Sequence, residues 1–170
     1  MTALRGTRRG REHGGAVVEF ALLVPLMATL IVSAIDIGRL VHTRQIALDV
    51  TRAAAALPVR GLSASEALAV ARSIDPRLPL SSTGSVVVTT VARKSVSDAT
   101  PWVVEQVESG STSDFRSRVG VTGGPANLGD VAALQPGMKL TAVEIAVPFK
   151  PAFSFGADFY PSTIYSVAYF

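Results

Sequence analysis

Sixteen consecutive uncharged residues, 20–35, lie between Glu19 and Asp36, and this run constrains the chain more than any other feature. A helix rises 1.5 Å per residue, so the run alone measures about 24 Å, short of the roughly 30 Å hydrocarbon core of a bilayer. Counted from Gly14 the stretch reaches 22 residues. That is long enough to span, but it carries Glu19 near one edge. Pro25 lies inside it, where a missing N–H and a bulky ring predict a bend that membrane helices tolerate. A mean hydropathy of +0.38 and a charged fraction of only 17% fit a chain that spends part of its length in lipid.

The position of the charge excludes a second class of function. Residues 1–14, MTALRGTRRGREHG, hold Arg5, Arg8, Arg9 and Arg11 against Glu12 and carry the whole net charge of +3. The remainder has twelve basic and twelve acidic side chains. A nucleic-acid-binding stripe would survive removal of a short tail, so no nucleic acid partner is expected. Cysteine is absent, which removes disulfides, thiolate metal sites and cysteine nucleophiles. His42 lies just beyond the apolar run and reads as a solvated helix residue rather than a catalytic base. Glu105, Glu108, Asp114 and Asp130 lack the spacing of a calcium loop, and Gly120, Gly123 and Gly124 do not spell a phosphate loop. Neither catalysis nor a cofactor or metal is expected.

Past Asp36 the helical pattern continues. Ile46, Ala47, Val50, Ala53, Ala54 and Leu57 form one apolar stripe, with Arg44, Thr51 and Arg52 outside it, and Pro58 ends the run. A single rod over 16–57 has 42 residues and measures about 63 Å. Ser63-Ala64-Ser65-Glu66 then reads as a capping box opening a short helix that Asp75-Pro76 closes. Residues 85–92, 102–107, 139–149 and 162–170 read as strands. Pro148 and Pro151 predict that the third of these ends at, or frays into, a sheet edge. Residues 108–138, rich in Gly, Ser, Thr and Pro, read as a long irregular connection. Eight of the eleven aromatic residues lie at or beyond Phe149 and are expected to fill the space between sheet and rod. The fold class is α+β, a small antiparallel sheet leaning on a long helix. At 170 residues the chain has room for one domain and this extra element.

Three readings of the apolar run follow from the residues. Val32-Ser33-Ala34 offers a signal-peptidase site, which would release a secreted or envelope binding domain. A plain single-pass anchor, serving an unprocessed adhesion protein, is the second. The third starts from Gly14-Gly15-Ala16-Val17-Val18-Glu19-Phe20, basic before and apolar after. Cleavage after Gly14 makes Glu19 the fifth residue of the new chain and Phe20 its sixth. It also exposes an ammonium group that the carboxylate of a neighbouring subunit can meet inside a helix bundle. An unpaired charge in lipid costs about 2.5–3.5 kcal/mol at mid-membrane for Asp, Lys or Arg, so pairing is worth having.

These residues resemble prepilin-type peptidase substrates. Glu-Phe-Ala-Leu-Leu-Val-Pro at 19–25, followed by Asp36 and Gly38, is similar to the TadE-like minor pseudopilins of the tight-adherence (Tad or Flp) pilus. Trp102, Ser117-Arg118-Val119-Gly120, Pro136-Gly137, Val143-Glu144-Ile145 and Phe149-Lys150-Pro151 are compatible with it. The resemblance implies a pilin-like fold with a cleaved leader at 1–14, a helix at 15–57 whose first half spans the membrane, and an exported head at 58–170. Gly14, Gly15, Glu19 and Phe20 would form the processing site. Phe20, Leu22, Leu23, Pro25, Leu26 and Leu30 would pack against other pilin and pseudopilin helices. The implied partners are the bacterial inner membrane, a prepilin peptidase and the pilus assembly platform. Before processing the N-terminus would be cytoplasmic and the head periplasmic, with later incorporation into an extracellular pilus.

Overall fold

One helix, α1 (Glu12–Ala55), dominates the computed structural model, which describes residues 12–95, 100–110, 115–129, 134–152 and 159–170. Its 44 residues measure about 66 Å and run through Pro25 without interruption. The helix ends two residues before the expected Leu57. Pro58 has no N–H to offer the Ala54 carbonyl, and the Leu57 N–H takes that place at 3.2 Å in a tighter turn. A 3-10 turn (Pro58–Arg60) follows and reverses the chain. The second helix, α2 (Ala64–Ser73), opens on the expected capping box. Ser63 Oγ accepts the Glu66 N–H at 3.3 Å, and the Glu66 carboxylate accepts the Ser63 N–H at 2.8 Å.

Four strands follow: β1 (Ser85–Ala92), β2 (Trp102–Gly110), β3 (Lys139–Pro148) and β4 (Thr163–Tyr169). They form one antiparallel sheet in the order β2-β1-β3-β4. β3 is therefore an interior strand, and only its Pro148 end runs out to where one side is unpaired. Pro148 is harmless there because it lies past the end of the β1 pairing, which stops at Ser85 opposite Ala146.

Both faces of the sheet are covered. On one, Val86, Val88, Val143, Ile145, Val147 and Ile164 pack against Ile46, Ala47, Val50, Ala54 and Ala55 of α1 and Ala64, Leu68 and Ala71 of α2. Alanines on the helices let backbone and sheet approach closely. The buried face of α1 consists of two parallel i, i+4 rows, 46-50-54 and 47-51-55. This corrects two stripe assignments: Ala53 is exposed, and Thr51 is fully buried. Thr51 is tolerated because its hydroxyl bonds the Ala47 carbonyl and reaches Ser166 Oγ of β4 at 3.1 Å.

The opposite face carries a second core of Val91, Val103, Val119, Leu128, Leu134 and Ala142. The expected irregular connection is thus partly strand, since 108–110 complete β2, and partly a third layer. Residues 115–129 lie over the sheet without regular structure of their own. Backbone bonds hold them there: Gly123 N–H to the Val103 carbonyl, Val103 N–H to the Gly124 carbonyl, and Ala126 N–H to the Pro101 carbonyl, all at 2.8–2.9 Å. Gly120 is required at the crossing. Its φ is +138°, and a Cβ there would lie 2.8 Å from the Pro125 carbonyl oxygen.

The aromatic residues divide, where filling between sheet and rod was expected. Phe149 and Tyr160, ring centroids 6.1 Å apart, do pack on the rod side. Tyr169 packs against the second core and Tyr165 lines the same face, whereas Phe159 and Phe170 are exposed. Phe153 and Phe155 lie outside the described residues.

Candidate functional site

The feature without a partner in the fold is the first half of α1. From Gly14 to Ile35 every side chain is exposed except half-buried Val32. Leu22 is 70% exposed, Phe20 68%, Leu30 56% and Leu26 53%. An 18-residue window of this helix reaches a mean hydropathy of 2.3 while only 6% of it is buried. Apolar side chains surround the axis, so no face is suited to water, and the segment needs lipid or other apolar helices. The two hydroxyls in its middle are satisfied locally. Thr29 Oγ1 donates to the Leu26 carbonyl at 2.8 Å and Ser33 Oγ to the Thr29 carbonyl at 2.8 Å.

The residues singled out for processing sit at the open end of this helix. Gly14 and Gly15 have no atom within 4 Å of where a Cβ would stand, so the backbone there is bare. Glu19 follows Gly15 by four residues, about 6 Å or one turn, and is exposed, as is Phe20 beside it. Leu23, Pro25, Leu26 and Leu30 are exposed as well.

Asp36 closes the segment and is the first buried residue along the chain that the structure describes, at 2% exposure. Its Oδ1 accepts the Ala152 backbone N–H at 2.9 Å and faces the Arg39 guanidinium at 3.2 Å. The sequence marks Asp36 only as the end of an apolar run. Its main partner is a main-chain N–H 116 positions away, for which no side-chain pattern exists.

A second polar node joins motif residues that are far apart in the chain. Glu144, on β3, is fully buried and accepts the Ser117 hydroxyl, the Arg118 backbone N–H at 2.8 Å and the Tyr165 hydroxyl at 2.8 Å. The Arg118 guanidinium lies over the Tyr165 ring, 4.2 Å from its centroid, and the Phe115 ring is 6.0 Å away. Burial first, and then the bond to Glu144, push the Tyr165 phenol above its ordinary range; burial does the same to Tyr169. With each of its donors supplied by the protein, Glu144 fastens the 115–120 segment to the sheet and presents nothing reactive. The other acids do not converge: Glu105 and Glu108 are exposed on β2, and Asp114 and Asp130 lie outside the described residues. Among the described residues no group of three His, Asp or Glu side chains is placed to hold a metal ion.

Fold and site together define a class: an α+β head carried on a long helix whose apolar half is compatible with single-pass membrane anchoring. The comparisons add a family. A family model described as TadE-like protein matches residues 14–56, the rod almost end to end, and in that segment the chain is similar to that family. That family is structural rather than catalytic. No curated protein and no solved structure matches the chain.

Proposed function

We propose that the protein is a minor pseudopilin of the Tad (Flp) pilus. It is inserted in the inner membrane by α1 and matured by a prepilin peptidase that cuts between Gly14 and Gly15. It then serves as a structural or assembly-initiating subunit. The observation that carries this reading is the unpartnered apolar half of α1, which begins with the Gly14-Gly15 and Glu19-Phe20 pairs and coincides with the TadE-like match. Moving such a helix from lipid into a bundle of apolar helices changes little apolar area, so packing and polar pairing must direct the move. Phe20, Leu22, Leu23, Leu26 and Leu30 supply the packing surface. Glu19 supplies the pair, its carboxylate meeting the Gly15 ammonium of a neighbouring subunit. The head stays outside the cytoplasm, and the partners are the other pilin and pseudopilin helices, the peptidase and the assembly platform.

A Glu19→Ala chain tests this role. It should insert in the membrane as the parent does, yet fail to co-purify with other pilus subunits. Normal pilus formation by that variant would remove the ion pair from the mechanism.

A further inference from the structure

The head has a membrane-facing underside, and its position can be read from two ties to α1. Asp36, where the apolar run ends, holds the Ala152 N–H at 2.9 Å, which sets the chain just after β3 at the level of the lipid boundary. Fifteen residues further along α1, about 22 Å, Thr51 meets Ser166 of β4. β4 therefore runs away from the boundary, and residues 149–152 and 159–162 are the described part of the hairpin nearest to it.

On this underside Phe159 is 91% exposed, the highest value among the large hydrophobic residues described. Chain fastened to the core lies immediately beside it. The Tyr160 ring packs 6.1 Å from Phe149, and the Phe149 N–H bonds the Ser162 carbonyl at 2.9 Å. Two exposed cations belong to the same end of the head, Lys150 two residues before the Asp36 tie and Arg39 on α1, which also pairs with Asp36 at 3.2 Å. An exposed aromatic side chain together with cations, at the height where a hydrocarbon core gives way to headgroups, is the composition that an interfacial lipid layer selects.

We propose that this underside is a second lipid contact, in which Phe159 enters the boundary between acyl chains and headgroups while Lys150 and Arg39 face lipid phosphates. The inference rests on the reading of α1 as a membrane span. The contact seats the head on the bilayer in one orientation, and it must be released when the rod leaves lipid.

The chain has no cysteine, so single cysteines can carry labels. The full chain is reconstituted in vesicles of phosphatidylethanolamine and phosphatidylglycerol, with an environment-sensitive fluorophore on Ser162→Cys, close to an intact Phe159. Labels on Leu30→Cys and Arg60→Cys report the span and the far end of the rod. Lipids bearing a nitroxide near the headgroup should quench the Ser162 label and those with a deep nitroxide the Leu30 label, leaving Arg60 unquenched. Adding Phe159→Asp should return the Ser162 label to the aqueous emission seen at Arg60. A Ser162 label as aqueous as that at Arg60, with Leu30 quenched, overturns the underside contact and leaves the span standing. An unquenched Leu30 label overturns both. Shielding of Ser162 that grows with protein density at constant lipid composition makes the occupant another protein, and also overturns the proposal.

Discussion

Glu144 offers the strictest test of how the head is held together. Replacing it with alanine strands three donors: the Ser117 hydroxyl, the Arg118 backbone N–H and the Tyr165 hydroxyl. A buried donor left without a partner costs about 1–3 kcal/mol, and the two hydroxyls can partly turn elsewhere, so Glu144→Ala should cost about 3 kcal/mol or more. Glutamine is the informative control. Arg118 and Tyr165 both donate to the same oxygen, Oε1, which the amide retains. Ser117 can reverse its hydroxyl to accept from the new NH2, so Glu144→Gln should cost only about 1–1.5 kcal/mol, the difference between charged and neutral hydrogen bonds. Against a typical stability of about 5–15 kcal/mol the alanine variant is severely weakened. The assay is urea unfolding of the full chain in detergent, followed by Trp102 fluorescence, because α1 stays helical in the micelle and would mask the head in far-ultraviolet dichroism. Equal midpoints for the alanine variant and the parent, or a glutamine variant as unstable as the alanine one, would refute the account of this node.

Two further outcomes follow from the head. The Tyr165 phenol is raised above its unfolded value of about 10, so its contribution is complete below that pH and is lost as pH rises beyond it; Tyr165→Phe should therefore flatten the alkaline fall in stability, read by unfolding midpoints between neutral and strongly alkaline pH. Gly120→Ala forces a Cβ toward the Pro125 carbonyl at a φ of +138°, and should destabilise the head by about 1–3 kcal/mol with faster proteolysis of the 115–129 layer.

The parts of the fold legible in the sequence are those whose signals are local. The capping box of Ser63 and Glu66, the β-branched run of β1 and the chain-ending Pro58 each act through neighbours within a few residues. The rod was legible for the same reason, since periodicity and apolarity are properties of one segment. The third layer was not, because 115–129 has no period of its own and gains its place from Val119 and Leu128 packing on β1, β2 and β3. Thr51 reads as outward-facing from its polarity alone, whereas Ser166 on a distant strand supplies its partner. The prolines of β3 mark where the strand runs out, but that β3 is interior and Pro148 lies past the β1 pairing depends on register. Of the candidate site, Gly14, Gly15, Glu19 and Phe20 were visible as a motif. Asp36 was seen as a boundary, but its grip on Ala152 was not, because a main-chain donor leaves no trace in composition.

The central claim is that the basic leader is removed between Gly14 and Gly15, so that a free amine and the Glu19 carboxylate direct the assembly of apolar helices. The intact mass of the protein extracted from its native membrane tests this most directly. The account predicts a chain that begins at Gly15 and retains the whole of residues 15–170. A mass that still includes the arginine-bearing leader, or one that begins at Ile35, would contradict it.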